Sequence, residues 1–261
     1  MSANADLQRR LDVASRAAWE AGKITLRYFQ TGVAVELKAD DSPVTIADKE
    51  SERFLSGLLH REFPKDGFLG EESGETPGSS GYRWIVDPID GTKSFVQGVP
   101  LYGVMVGLVD QADDPVVGAV CLPALGELVS AARGGGCYFN GRRVQVSKVK
   151  TIGEACIAAT DLELFEETGT KASFDRVQSA ARMTRTWGDC YGHLLVATGR
   201  AEVMLDPILA EWDSTALLPI LEEAGGSFTD WKGNRTVFGK SGVSTNGHVR
   251  QELFDLLNAK A

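Results

Sequence analysis

Trp84-Ile85-Val86-Asp87-Pro88-Ile89-Asp90-Gly91-Thr92-Lys93-Ser94-Phe95 carries the most informative pattern in the chain. Residues 82–86 are aromatic and β-branched, the composition of a buried strand. Pro88 lacks the N–H a ladder needs, and Gly91 permits a left-handed turn. The sequence therefore predicts a strand breaking into a turn, with Asp87 and Asp90 at the break and the hydroxyl of Thr92 just beyond. Carboxylate oxygens suit a hard cation, and free N–H groups at a turn or helix start suit an anion. The pattern points to a cation holding a phosphate.

Bulk properties narrow the field. The chain has 261 residues, 43% hydrophobic and 24% charged, as in an ordinary globular protein. Its net charge is −9 and its pI is near 5.0, which argues against a nucleic-acid surface. The first ten residues lack an apolar signal core, and no run of about 18 apolar residues could span a bilayer. Cys121, Cys137, Cys156 and Cys190 form no CxxC pair, so reduced thiols and a cytoplasmic location are expected.

Working outward, residues 7–29 show helical periodicity, and Val33, Val35 and Leu37 alternate as a strand up to Asp41-Ser42-Pro43. Thr45-Ile46-Ala47-Asp48 has capping-box spacing and opens a second helix that ends before Pro64. A short strand over 68–70 leads to Glu71-Glu72 and then a Gly/Ser/Pro loop. Strands follow over 104–109, 116–122 and 128–132 and at Val144 and Val146, with Asn140-Gly141 a type I′ hairpin signal. Beyond Thr151 strands (155–159, 201–205) alternate with helices (175–183, 189–198, 214–223, 249–257). Two packed subdomains are expected, residues 1–150 and 151–261.

Other chemistries fit less well. Cys137 and Arg143 have C-x₅-R spacing, but Asn140-Gly141 makes a hairpin where a cysteine phosphatase needs a helix start. Asp87 and Asp90 are separated by two residues, not the single residue of a haloacid-dehalogenase site. There is no Walker motif, and Gly134-Gly135-Gly136 is followed by no helix. His60, His193 and His248 read as surface or packing residues, against a Ser-His-Asp hydrolase. A glycosidase pair at Glu71-Glu72 has no other support.

Gly70-Glu71-Glu72-Ser73, Trp84 to Thr92, and Trp212-Asp213 with Ala224-Gly225-Gly226 together resemble the inositol-monophosphatase superfamily of Mg²⁺-dependent, lithium-sensitive phosphatases. Asp41 to Asp48 fits its N-terminal element, and the matches run in order from Lys38 to Gly226. The resemblance implies an α+β fold of the sugar-phosphatase type, layered α-β-α-β-α, often homodimeric, with two or three Mg²⁺ ions and a small phosphorylated substrate. Glu71, Asp87 and the Ile89 carbonyl would hold one ion, Asp87, Asp90 and Asp213 a second, and Glu71 a third. Asp48 and Thr92 would form the dyad that deprotonates the attacking water, and Gly91 and Thr92 N–H groups would grip the phosphate. Two like charges about 4 Å apart repel by about 4 kcal/mol at an effective dielectric of 20. Such a cluster calls for divalent cations, which in turn reconcile an acidic protein with an anionic substrate.

Within that superfamily, Lys93-Ser94 after Asp-Gly-Thr, Gly188-Asp189, and Asp206 look like histidinol-phosphate phosphatases. Asp189 and Asp206 would face the substrate's cationic end. Alternatively, Asp189 is a helix N-cap and Asp206 a strand-end turn residue. Inositol-1-phosphate or broad sugar-phosphate hydrolysis is the runner-up, and a catalytically silent regulatory homologue is the competing class.

Overall fold

The computed structural model describes residues 3–39 and 41–259. The first part runs α1 (Ala3–Leu26), β1 (Val35–Leu37), β2 (Pro43–Thr45), α2 (Ile46–Glu62), β3 (Gly67–Gly70), β4 (Gly74–Thr76), β5 (Arg83–Asp90), α3 (Thr92–Val96), β6 (Gly103–Val109), β7 (Pro115–Leu122), β8 (Glu127–Ala132), β9 (Gly136–Phe139) and β10 (Arg142–Val144). The remainder runs β11 (Cys156–Ala159), α4 (Leu162–Glu167), α5 (Lys171–Ala180), β12 (Met183–Arg185), α6 (Asp189–Ala197), β13 (Val203–Asp206), α7 (Glu211–Ser214), α8 (Leu217–Glu223), β14 (Ser227–Thr229), β15 (Gly242–Thr245) and α9 (Arg250–Asn258).

Two sheets organise these elements. One has eight strands in the order β10-β9-β8-β7-β6-β5-β3-β4, the other five in the order β12-β11-β13-β15-β14. Helices α1 and α2 cover one face of the larger sheet, burying Ala14, Ala17, Leu55 and Leu59 against Val86, Val104 and Val106. Its other face meets α8, while α6 and α8 fill the space between the sheets with Leu194, Leu217, Leu218 and Leu221. Helices α4, α5 and α9 close the far side around Phe165, Phe174 and Leu253. The result is the expected α-β-α-β-α layering. Cys121, Cys137, Cys156 and Cys190 are free and buried. No described helix is long and apolar enough to cross a membrane.

Several elements differ from the sequence reading, each for a physical reason. β5 does not break at Pro88. It continues to Asp90, with Asp87 opposite Met105 and Asp90 opposite Gly103 and a register shift between. That bulge takes up the residue without an N–H, so the strand rejoins its neighbour after the proline. The strand ends at Leu37, ahead of the expected break, but Pro43 itself opens β2, which pairs antiparallel with β1. In that arm Val35 and Leu37 are exposed, so their alternation marks no buried face. β4 lies in the stretch read as loop, and the Asn140-Gly141 hairpin joins β9, also unread, to β10. Val146 lies outside any strand. The helix expected over 175–183 is α5, which starts earlier, and Met183 opens β12. The helix expected over 214–223 is split into α7 and α8. Pro219 cannot donate to the Thr215 carbonyl, and its ring crowds that carbonyl. The break also docks onto the sheet: a Cβ on Gly118 would lie 2.0 Å from the Ala216 carbonyl oxygen.

His193 is a core residue of α6. It is fully buried, its Nδ1 lies 2.7 Å from Ser244 Oγ, and its Nε2 has no partner. Burial lowers its pKa from the ordinary 6.5 to about 3. Between these values the unfolded chain binds a proton that the native state refuses. The stability from neutral His193 is therefore complete above pH 6.5 and lost as pH falls toward 3, at up to about 1.4 kcal/mol per pH unit. Urea unfolding across this range should show that His193→Gln flattens the decline. Parallel curves for variant and wild type would contradict it.

Candidate active site: an acidic cleft where the sheets meet

The site is assembled from strand ends and helix starts. Asp87 and Asp90 flank the β5 bulge, and Asp213 occupies the first turn of α7, where its Oδ2 accepts the Ala210 N–H at 2.7 Å. One carboxylate oxygen from each of the three lies within 4.8 Å of the others. Asp87 and Asp90 are buried and Asp213 is half-buried. The Asp87 Oδ1 accepts the Ile89 N–H at 2.8 Å, and Asp90 Oδ2 accepts the Cys190 N–H at 2.5 Å. Burial, followed by the charges of Glu71, Asp90 and Asp213, raises the Asp87 carboxyl well above its ordinary range. Burial and the charges of Asp189 and Asp213 do the same to Asp90, and burial raises Asp213. The bare cluster resists ionisation, and hard oxygen donors at this spacing suit a divalent cation such as Mg²⁺.

Glu71, at the end of β3, is not one of that close trio. Its Oε1 accepts from Lys38 Nζ at 2.7 Å, and the same ammonium reaches Glu72 Oε1 at 2.6 Å. Burial pushes the Glu71 carboxyl up to about 7 against the opposing pull of Lys38. Burial alone would lower the Lys38 pKa, but hydrogen bonds to Glu71 and Glu72 outweigh it and raise it. The Lys38 and Glu72 roles escaped the sequence reading. Thirty-three residues separate the lysine from Glu71, and no local pattern signals that pairing.

Asp48 enters from α2 through the predicted capping box. Its Oδ2 accepts from Thr45 N and Thr45 Oγ1, both at 2.7 Å. The Thr92 hydroxyl lies 3.4 Å from Asp48 Oδ1 and donates to the Ile89 carbonyl at 2.8 Å. The Ile89 carbonyl, expected to face a cation, thus also accepts from Thr92. Burial raises the Asp48 pKa despite its bonds from Thr45. Gly91 has φ +82° and caps α3. A Cβ there would lie 2.9 Å from Asp189 Oδ2, so only glycine lets the two loops close. The Gly91 and Thr92 N–H groups open α3, where intrahelical acceptors are lacking.

A second acidic lobe adjoins the first. Asp189 does not act as the side-chain N-cap of α6: Gly188 holds the cap position, and Asp189 itself has φ +54°. Its Oδ2 accepts from Ser94 Oγ at 3.4 Å, and burial pushes its pKa up to about 6. Asp206 ends β13 fully within the protein. Its Oδ2 accepts from Thr160 Oγ1 at 2.6 Å, and its Oδ1 makes no hydrogen bond of normal geometry, though the nearby Ile208 N–H also favours the ionised carboxylate. Burial raises Asp206 well above its ordinary range, with the charges of Asp189 and Asp213 adding to the effect. Lys93 is exposed and pairs with Asp161 at 3.2 Å. Thr160 was missed: its hydroxyl also accepts the Asp189 N–H at 3.2 Å, tying the Asp206 carboxylate to the backbone at Asp189. Trp187 and Tyr191 pack on the core between the sheets.

A layered α+β architecture with a close trio of acidic side chains at its strand ends and helix starts is the architecture of sugar-phosphatase-type proteins. The family model "Inositol monophosphatase family" matches residues 6–261. A histidinol-phosphatase of Chlorobaculum parvum is 44% identical over 250 residues, covering 95% of each chain. An inositol-1-monophosphatase of Rhizobium meliloti is 35% identical, also covering 95% of each. The crystal structure of the extragenic suppressor protein suhB from Bartonella henselae superposes with a TM-score of 0.91 at 32% identity, covering 97% of this chain and all of the other. The chain belongs to the inositol monophosphatase family, and it is a phosphoric monoester hydrolase.

Proposed function

We propose that the protein hydrolyses L-histidinol phosphate to L-histidinol and phosphate in a Mg²⁺-dependent reaction. The observation that carries the substrate choice is the unpartnered Asp206 Oδ1, fully buried beside Asp189 and next to the Asp87-Asp90-Asp213 trio. A buried carboxylate oxygen without a well-aligned donor asks for one, and a substrate bearing an ammonium and an imidazole beside its phosphate supplies it. The relatives named histidinol-phosphatase support the same reading.

Glu71, Asp87, Asp90 and Asp213, with the Ile89 carbonyl, would hold two or three Mg²⁺ ions. Bound there, Mg²⁺ polarises the phosphoryl oxygens and neutralises the charge developing on the leaving alkoxide. Gly91 and Thr92 N–H groups orient the phosphate for in-line attack by water. Thr92 Oγ1 donates to the Ile89 carbonyl and also lies 3.4 Å from Asp48 Oδ1; turned to Asp48, the hydroxyl hands its own proton to that carboxylate as it takes one from the water. Asp48, its carboxyl raised by burial, takes the proton through Thr92. The phosphate passes directly to water, and no phosphoenzyme forms.

Hydrolysis of inositol 1-phosphate is the second reading, favoured by the Rhizobium meliloti relative. The intact set Asp48, Glu71, Asp87, Asp90, Thr92 and Asp213 opposes a silent regulatory role. Phosphate release measured side by side should give a higher kcat/KM for histidinol phosphate than for inositol 1-phosphate, and only with Mg²⁺ present. The reverse preference would overturn the substrate, and Mg²⁺-independent turnover would overturn the chemistry.

A further inference from the structure

Glu52 lies one helical turn after Asp48 in α2, so both project from the same helix face. It is 2% exposed, and no lysine or arginine pairs with it among the described residues. Its carboxylate instead accepts two backbone N–H groups, those of Glu72 at 2.8 Å and Ser73 at 2.7 Å. These belong to the turn immediately after Glu71. The preceding Gly70 leaves the carboxylate its place: a Cβ there would lie 2.5 Å from Glu52 Cδ. The turn is thus gripped from behind by its N–H groups while the Glu71 and Glu72 side chains reach Lys38 on the other side.

We propose that Glu52 is a positioning residue for cation binding. It fixes the turn at 71–73 so that the Glu71 carboxylate faces the Asp87 side of the cleft, and it couples that turn to the helix that delivers Asp48. The inference rests on the reading of Glu71 as a metal ligand. A carboxylate serves better than a neutral group because it accepts from two N–H groups at once. Glu52→Gln keeps the size but sets an NH₂ against one of them.

Calorimetric titration of Mg²⁺ into the substrate-free protein tests this, with Glu71→Gln identifying the binding component that depends on Glu71. Glu52→Gln should weaken that same component by about 10- to 100-fold, the range typical when a partner holding a ligand is lost. In activity assays the half-saturating Mg²⁺ concentration should rise alike, with kcat recovered at high Mg²⁺. Should Glu52→Gln fail to fold, Gly70→Ala carries the same test, because it keeps the carboxylate but displaces it. A lowered melting temperature with Mg²⁺ affinity unchanged, or a kcat loss that excess Mg²⁺ does not recover, would overturn the proposal. If Glu71→Gln itself leaves the isotherm unchanged, the ligand reading of Glu71 falls instead.

Discussion

Replacing Asp87 by asparagine is expected to cut Mg²⁺-dependent phosphate release by at least roughly a thousandfold, the several kcal/mol that metal-ion stabilisation of a phosphoryl transition state supplies. The same change should stabilise the metal-free protein. Asp87 has a native pKa well above its ordinary value because it is buried beside Glu71, Asp90 and Asp213. A group raised in this way favours the folded state below its unfolded pKa and loses that benefit as pH rises through the folded one. At neutral pH and above, the bare cluster therefore strains the fold. Asparagine removes one charge while its Oδ1 can still accept the Ile89 N–H. A gain of about 1–2 kcal/mol corresponds to roughly 2–8 °C for a chain of this size. Conversely, Mg²⁺ should raise the melting temperature of the wild type more than that of the variant, and more at pH 8 than at pH 6. Near-normal turnover in Asp87→Asn, or an equal Mg²⁺-induced rise in both proteins, would remove Asp87 from the site.

The residues legible in the sequence are those whose signals are local. Thr45 and Asp48 announce a helix start three residues apart, and the structure carries that capping box. Asn140 and Gly141 announce a hairpin, and both adopt positive φ. Asp87 and Asp90 could be singled out because they follow an apolar strand. The continuation of β5 past Pro88 was not legible, since a bulge depends on what Gly103 and Met105 do across the ladder. Lys38, Glu52 and Thr160 escaped for a similar reason. Each touches its partner only after the chain has closed, Thr160 across 46 residues to Asp206 and Lys38 across 33 to Glu71. Long-range polar pairs have no period, and a lone threonine or lysine looks like surface. Nor could the sequence separate Asp189 as a cap from Asp189 as a site residue. That distinction depends on Gly188 taking the cap and on Ser94 approaching from 95 residues away in the chain.

Those two aspartates carry the other large expected effect. If the lobe formed by Asp189, Asp206 and Thr160 recognises a cation, Asp206→Asn should lower kcat/KM for histidinol phosphate by about 10- to 100-fold, the equivalent of one buried charge-assisted hydrogen bond. Asparagine retains an oxygen for the Thr160 hydroxyl, so the tie between β11 and β13 survives and the loss reports charge rather than collapse. For inositol 1-phosphate, which offers hydroxyls and no ammonium, the same variant should lose little or gain, since a neutral amide both donates and accepts. Asp189→Asn should shift selectivity the same way, by a smaller factor, because this carboxylate already accepts from Ser94. The ratio of the two kcat/KM values is the decisive readout. Losses at the metal ligands, the Asp48–Thr92 pair or the phosphate-binding turn fall on both substrates and cancel in it. A ratio that moves by less than twofold in both variants would mean that the orphaned Asp206 oxygen is not where the substrate's positive charge resides.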